Sequence, residues 1–456
     1  MPAHDGLKAS VRGTEEDVRK EEAAAGPAAQ VNRALFLYGV LVIAVTLASW
    51  VVYLRYPAFD LRPLFWREYR FSDLTDYVEK MAHLRGGAAK LGFGPPTYNY
   101  PAPAAFVFKA LLYTFPGHAA RTYLCFLAIC IAAFGYVAWR SIRSTPVRQN
   151  AAAAIAITAL LGYPLWFTAD RANTEGVVWA LAAAGLCFLL RGRYRAAAVL
   201  IGLAASVKPF SILFLLLLLG RRKFKEAALG AATSAVAILV ALTVMGPTPW
   251  KAYHDLQPGV SRYVDLYVEN LKPVGEARFS HSLLDGMKAV AVTAEMGGIH
   301  PRQAIGDVQR LMQEPGGWHA VHTLVRVYSV IVVVGLGLLL AVFSRMPMLN
   351  QMTGLGVAVT LFPPVAGDYT LLHLYVPFGA LVVFLAREAA EGKARLDYAA
   401  MIAFAAIYAL LFSPLTLLMF YAGTGKLLLL LALLAVAARS PMPSAYFGDE
   451  PLGVTK

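Results

Sequence analysis

Charge is scarce in this chain. Charged residues fill 15% of its 456 positions and apolar residues 58%. A soluble globular chain carries about one-quarter charged residues, so the roughly three soluble domains that length alone suggests are excluded. Cysteine is scarcer still, with three residues. Cys125, Cys130 and Cys187 all lie inside apolar runs without metal or redox spacing, which excludes a disulfide framework. No Walker loop, dinucleotide glycine motif or nucleophile elbow occurs, and Trp318-His319 with His322 lacks the second ligand cluster that zinc needs. Acidic residues number 28 against 41 Lys and Arg, a net charge of +13. In a lipid-embedded protein this excess marks cytoplasmic loops and anionic headgroups rather than a nucleic-acid partner. What remains is an all-α polytopic membrane protein.

Residues Gly13 to Arg33 are polar and of mixed charge, unlike a signal peptide. Ala34 to Leu54 then runs without a charge for long enough to cross the hydrocarbon core. Apolar runs follow at Tyr123–Trp139, Ala151–Phe167, Val177–Leu190, Ala227–Met245, Val327–Phe343, Leu355–Val365, Leu374–Ala386, Tyr398–Tyr421 and Leu427–Ala438. The segment between Arg195 and Arg221 is apolar but broken at Lys208-Pro209 and flanked on both sides by basic clusters. One crossing would put a cluster on the wrong side, whereas a re-entrant hairpin keeps both in the cytoplasm. The pattern predicts about 11–12 membrane helices including the re-entrant pair, in one domain over 34–438 with cytoplasmic tails at 1–33 and 439–456. Outer loops are expected at 55–119 and 246–322, and both termini inside.

The chemistry is therefore expected outside. In the first outer loop Ser72 can cap a helix whose apolar residues recur at helical spacing, and Ala104 to Phe115 forms a second surface segment. Asp73 and Asp76 lie in the first turn of the first helix. They read as capping acids or, at the lipid–water boundary, as a general base towards a hydroxyl. Lys208 reads as a snorkelling lysine or as a phosphate partner at a broken helix. Asp170-Arg171-Ala172-Asn173-Thr174-Glu175 is a self-neutralising turn, or a site where Arg171 holds phosphate and Asn173 or Glu175 a sugar hydroxyl. His281, within Arg278-Phe279-Ser280-His281-Ser282, reads first as structural; His373, near Asp368 and Tyr369, can carry a proton or bind an anion.

Taken together, these features resemble the GT-C class of integral membrane glycosyltransferases. More narrowly they resemble the polyprenol-phosphate-mannose-dependent mannosyltransferases of the phosphatidylinositol-mannoside type. Asp73-Leu74-Thr75-Asp76-Tyr77 looks like the acidic first-loop motif, and Tyr98-Asn99-Tyr100-Pro101-Ala102-Pro103 like the family's Tyr-Pro-Pro turn. The segment Ala197–Phe214, with Gly202 and Lys208-Pro209, is the nearest match. Asp170-Arg171-Ala172-Asn173 stands where the family has Gly-Gln-x-Asn and keeps the asparagine; Ser280-His281-Ser282 stands where Asn-Gln-Ser is expected. His373 falls at the place of a family histidine.

The resemblance implies a GT-C-like bundle with two surface helices in the first outer loop. It also implies a sugar, mannose favoured, moved from a polyprenyl-phosphate donor to a lipid or glycan hydroxyl on the outer face of a bacterial inner membrane. Asp73 or Asp76 would be the base, with His373 in the catalytic set. Lys208, Arg171 and Arg278 would hold the donor phosphate. Asp170, Asn173, Glu175, Tyr100 and His281 would face the sugar or acceptor. No cofactor or metal is expected. A transporter of lipid-linked glycans, or a non-catalytic glycolipid-binding protein, is the alternative.

Overall fold

A computed structural model of the chain describes residues 26–55, 70–74, 100–114, 118–269, 280–295, 320–393 and 395–443. Helix α1 (Pro27–Arg55) contains the first charge-free run, with Pro27 in its first turn, where a missing N–H is harmless. The second surface segment is α2 (Ala104–Thr114), which presses Phe108 fully into the core. Helices α3 (Ala119–Ile142), α4 (Arg148–Leu161), α5 (Tyr163–Arg171), α6 (Glu175–Leu190) and α7 (Tyr194–Val207) follow. A 3-10 helix, Pro209–Leu215, leads into α8 (Leu216–Gly220) and then α9 (Phe224–Met245).

The second long loop is not bare. It holds α10 (Pro249–Tyr263), a π turn at Val264–Val268, and α11 (Leu283–Glu295). The last elements are α12 (Ala320–Phe343), α13 (Met348–Leu361), the 3-10 helix Asp368–Leu374, α14 (Tyr375–Ala390), α15 (Tyr398–Leu411), the 3-10 helix Thr416–Tyr421 and α16 (Ala422–Arg439). Among the described residues no strand forms; one isolated antiparallel bridge joins Ser280 to Gly367.

Among the described residues seven helical stretches are long and apolar enough to cross a membrane, and four shorter apolar helices stand among them. With the almost wholly buried α13, they form the all-α polytopic bundle that the pattern predicts. Outward-facing Phe36, Leu47, Val51 and Leu54 on α1 and Val330, Val333 and Leu338 on α12 are exposed in the isolated chain, as lipid-facing surfaces are.

The short helices shape the site. At 1.5 Å per residue, α6 and α7 reach only about 24 and 21 Å, less than the roughly 30 Å hydrocarbon core. Lys208 is the tip of a helical hairpin. As the residue before a proline it is pushed out of the helical region, and it adopts an extended φ of −134° and ψ of 111°. The chain then returns through Pro209–Leu215 and α8 to Gly220, which lies beside Gln351 at the opposite end of the bundle.

The hairpin is clamped by glycine contacts. A Cβ on Gly202 would stand 2.2 Å from the Gly230 carbonyl oxygen, and one on Gly230 would stand 2.9 Å from that of Ala198. Backbones of α7 and α9 therefore touch, as small residues permit in membranes. Gly202→Ala is expected to destabilise the fold by about 1–3 kcal/mol, the usual cost of overpacking. Thermal unfolding in detergent measures it, and an unchanged midpoint would show that the backbones can separate freely.

Three local expectations are corrected. The run Tyr398–Tyr421 is not one helix: Pro414 cannot continue α15, and the chain restarts as the 3-10 helix at Thr416. The gap between the apolar runs ending at Tyr421 and beginning at Leu427 is not a connecting loop: Ala422 to Lys426 form the first turns of α16. The polar turn read over Asp170–Glu175 is shorter: α5 continues through Arg171, and Ala172 ends it in a left-handed conformation.

Candidate active site

Three helix interruptions meet at one level of the bundle: Ala172–Thr174 between α5 and α6, Lys208 at the hairpin tip, and the Asp368–Leu374 helix before α14. Non-helical backbone at membrane depth occurs where it is buried in protein or lines a cavity. Two of the residues that build the site are preceded by strained ones. Phe71 before Ser72 has φ 59° and Ala172 before Asn173 has φ 49°, left-handed values costing roughly 1–2 kcal/mol each for a non-glycine residue. Phe71 N–H donates to the Asp170 carbonyl at 2.7 Å, tying the segment that carries Ser72 and Asp73 to the end of α5.

Asn173 is the hub. Its Nδ2 donates to Asp73 Oδ2 at 2.7 Å and lies 3.4 Å from the Tyr100 hydroxyl. Its Oδ1 accepts from Lys208 Nζ at 3.2 Å and from the Glu175 backbone N–H at 2.9 Å. The Tyr123 hydroxyl donates to its carbonyl. Gly176 makes room for that tyrosine, since a Cβ there would meet the hydroxyl at 2.4 Å.

Glu175, 1% exposed, is compensated on both carboxylate oxygens. Lys208 Nζ stands 2.6 Å from Oε2, and His373 Nε2 stands 2.6 Å from Oε1. Each contact matters because a buried charge without partners is strongly unfavourable. The Lys208 side chain keeps 23% of its surface open, and its ammonium faces the Tyr369 ring at 4.7 Å. Arg171 Nη1 reaches Ser72 Oγ at 3.4 Å, and its guanidinium lies 5.6 Å from the Phe167 ring. The result is a recess whose partly open mouth carries Asp73, Arg171, Lys208 and Tyr100, and whose closed floor is Asn173, Glu175 and His373.

A second polar cluster lies at the other end of the Asp368–Leu374 helix. Lys426 Nζ stands 2.7 Å from Asp368 Oδ1. His281, fully buried, places Nε2 3.0 Å from Thr370 Oγ1 and Nδ1 3.5 Å from Asp368. Burial, opposed by Asp368, holds the His281 imidazole below its ordinary value. Ser280 and Ser282 both donate to Asp285, whose carboxyl burial pushes up against the pull of Lys288 at 3.7 Å.

Of the residues singled out in the sequence, Asp73, Tyr100, Arg171, Asn173, Glu175, Lys208 and His373 thus come together, directly or through one neighbour. The Asp170 carbonyl joins them through Phe71. His281 stands in the second cluster, away from Lys208. Asp76 and Arg278 lie outside the described residues. Sequence reasoning gave no role to Tyr369, which covers Lys208, or to Lys426, Asp285 and Lys288. Lys426 did carry a signal: it is the lone charge near an apolar run, and such residues seek a buried partner. Among the described residues no group of His, Cys, Asp or Glu is arranged to hold a metal ion.

No curated protein matches the chain. The model of glycosyltransferase family 87 matches residues 98–364, more than half the sequence. The matched region contains Tyr100, the Asp170–Glu175 turn, Lys208 and His281, and leaves out Asp73, 25 residues before it, and His373, nine residues after it. The match spans the helical bundle and the breaks that gather its charged residues, and the chain belongs to glycosyltransferase family 87.

Proposed function

We propose that the protein moves a sugar, mannose foremost, from a polyprenyl-phosphate donor to a hydroxyl of a lipid or glycan acceptor. In this reading the recess opens on the outer face of a bacterial inner membrane and both termini are cytoplasmic. The observation that carries it is the Asn173 side chain, which holds an aspartate on one side and a lysine on the other. An oriented carboxylate beside an anchored cation is the pairing that displacement of a lipid phosphate by a hydroxyl demands.

Asp73 takes the proton of the acceptor hydroxyl as its oxygen bonds the anomeric carbon. The bond from that carbon to the donor phosphate oxygen breaks, and the polyprenyl phosphate leaves with the electron pair. Lys208 and Arg171 neutralise the charge that grows on it. Glu175 and His373 act from behind: one fixes the ammonium of Lys208, the other shares the carboxylate's second oxygen. Tyr100 and Tyr369 wall the recess with rings suited to a sugar face. Arg278 adds to the cations that hold the phosphate, Asp170 faces the sugar or acceptor, Asp76 is the substitute base, and His281, buried in the second cluster, acts only through the helix that carries His373. Cations of the chain suffice in this scheme without a metal ion.

A donor panel tests it. Purified protein with a membrane lipid extract is given radiolabelled polyprenyl-phosphate mannose, polyprenyl-phosphate glucose or a nucleotide sugar. Label is expected in a new lipid or glycan from the mannose donor. Transfer from another polyprenyl-phosphate sugar alone would change the sugar, and transfer only from the nucleotide sugar would overturn the donor class.

A further inference from the structure

Helices α3, α4, α6 and α14 enclose an apolar groove of about 260 Å³ outside the site just described. Two of these helices give its direction. Helix α6 starts at Glu175 and is capped by Arg191; α14 starts two residues after His373 and carries Arg387 in its last turn. Trp179 and Tyr375 line the groove near the carboxylate layer, and Arg191 and Arg387 line it at the far end. At the helical rise, each arginine lies about 18 Å along from its aromatic residue, close to the depth of one leaflet.

Gly135 on α3 and Gly379 on α14 also line this groove. A Cβ built on either meets no atom within 4 Å, and neither has a positive φ. Glycine in a helix interior costs about 1 kcal/mol relative to alanine. At Gly202 and Gly230 that cost accompanies close packing, whereas Gly337 on α12 shares the open space but does not line this groove. At Gly135 and Gly379 no protein atom uses the space.

We propose that the groove binds an anionic phospholipid from the leaflet opposite the carboxylate recess. One acyl chain lies over Gly135 and Gly379, and the phosphate sits at Arg191 and Arg387. Charge complementarity selects this occupant. Basic pockets between membrane helices bind anionic headgroups, and guanidinium groups suit phosphate geometry. A polyprenyl-phosphate donor is the poorer fit, because its phosphate belongs beside Lys208 and its apolar tail would then end against two arginines.

Native mass spectrometry of the full chain in detergent, with phosphatidylglycerol, phosphatidylcholine or polyprenyl phosphate added, tests the proposal without an activity readout. Wild type is expected to retain phosphatidylglycerol about tenfold better than phosphatidylcholine, the worth of one charge-assisted hydrogen bond. The Arg191→Gln, Arg387→Gln variant should lose that preference, and Gly135→Leu with Gly379→Leu should retain less of both lipids. Equal retention of the two lipids by wild type would overturn the proposal. So would phosphatidylglycerol binding that neither folded variant changes, or polyprenyl phosphate displacing phosphatidylglycerol from wild type.

Discussion

Asp73→Asn is expected to lower the rate of sugar transfer by about 10²–10⁴-fold, the range over which general bases contribute. The substitution keeps an oxygen able to accept from Asn173 Nδ2, so the 2.7 Å contact that orients the side chain survives. Donor affinity should change little, because the phosphate is held by cations. The loss therefore falls on kcat rather than KM. Single-turnover transfer, with thermal unfolding to show that the fold persists, measures both. Asp76→Asn, made in parallel, is expected to leave the rate within a few-fold. The reverse pattern would move the role of base to Asp76.

Lys208→Met has the second large effect, through two causes that can be separated. Without the ammonium the leaving phosphate loses a pre-oriented charge, worth about 10²–10³-fold in rate. Glu175 also loses its partner on Oε2 and keeps His373 alone on Oε1. Breaking a buried pair costs about 3–5 kcal/mol, and the 23% exposure of Lys208 brings the cost here towards the low end. Adding Glu175→Gln should restore the unfolding temperature while leaving transfer impaired. Recovery of transfer in the double variant would reduce Lys208 to a structural counter-ion.

Much of the scaffold was legible because the bilayer imposes simple rules. Long charge-free runs become the long helices, and Lys208-Pro209 between two basic clusters becomes the hairpin tip. The proline break at Pro414 was visible in the sequence but masked by the apolar residues around it. The helices α10 and α11 were hidden for another reason: in a long loop the hydrophobic signal of a membrane span is absent, and α10 is polar overall.

The site was legible residue by residue but not as a network. Asp73 and Asn173, and Glu175 and His373, meet across 100 and 198 residues of chain. No local pattern encodes such pairings. Asn173, the asparagine of the Asp170–Glu175 turn, proves to be the hub. Lys426 and Asp368 lie in separate gaps between apolar runs, yet they form a buried pair at 2.7 Å. What the sequence presents as two polar interruptions is one clamp on the helix that carries His373.

The most direct measurement is transfer from radiolabelled polyprenyl-phosphate mannose in nanodiscs containing a membrane lipid extract, comparing wild type with Asp73→Asn. The account predicts label in a new lipid or glycan with wild type and almost none with the variant. Equal transfer by the two proteins, or none by wild type from any polyprenyl-phosphate sugar, would contradict it.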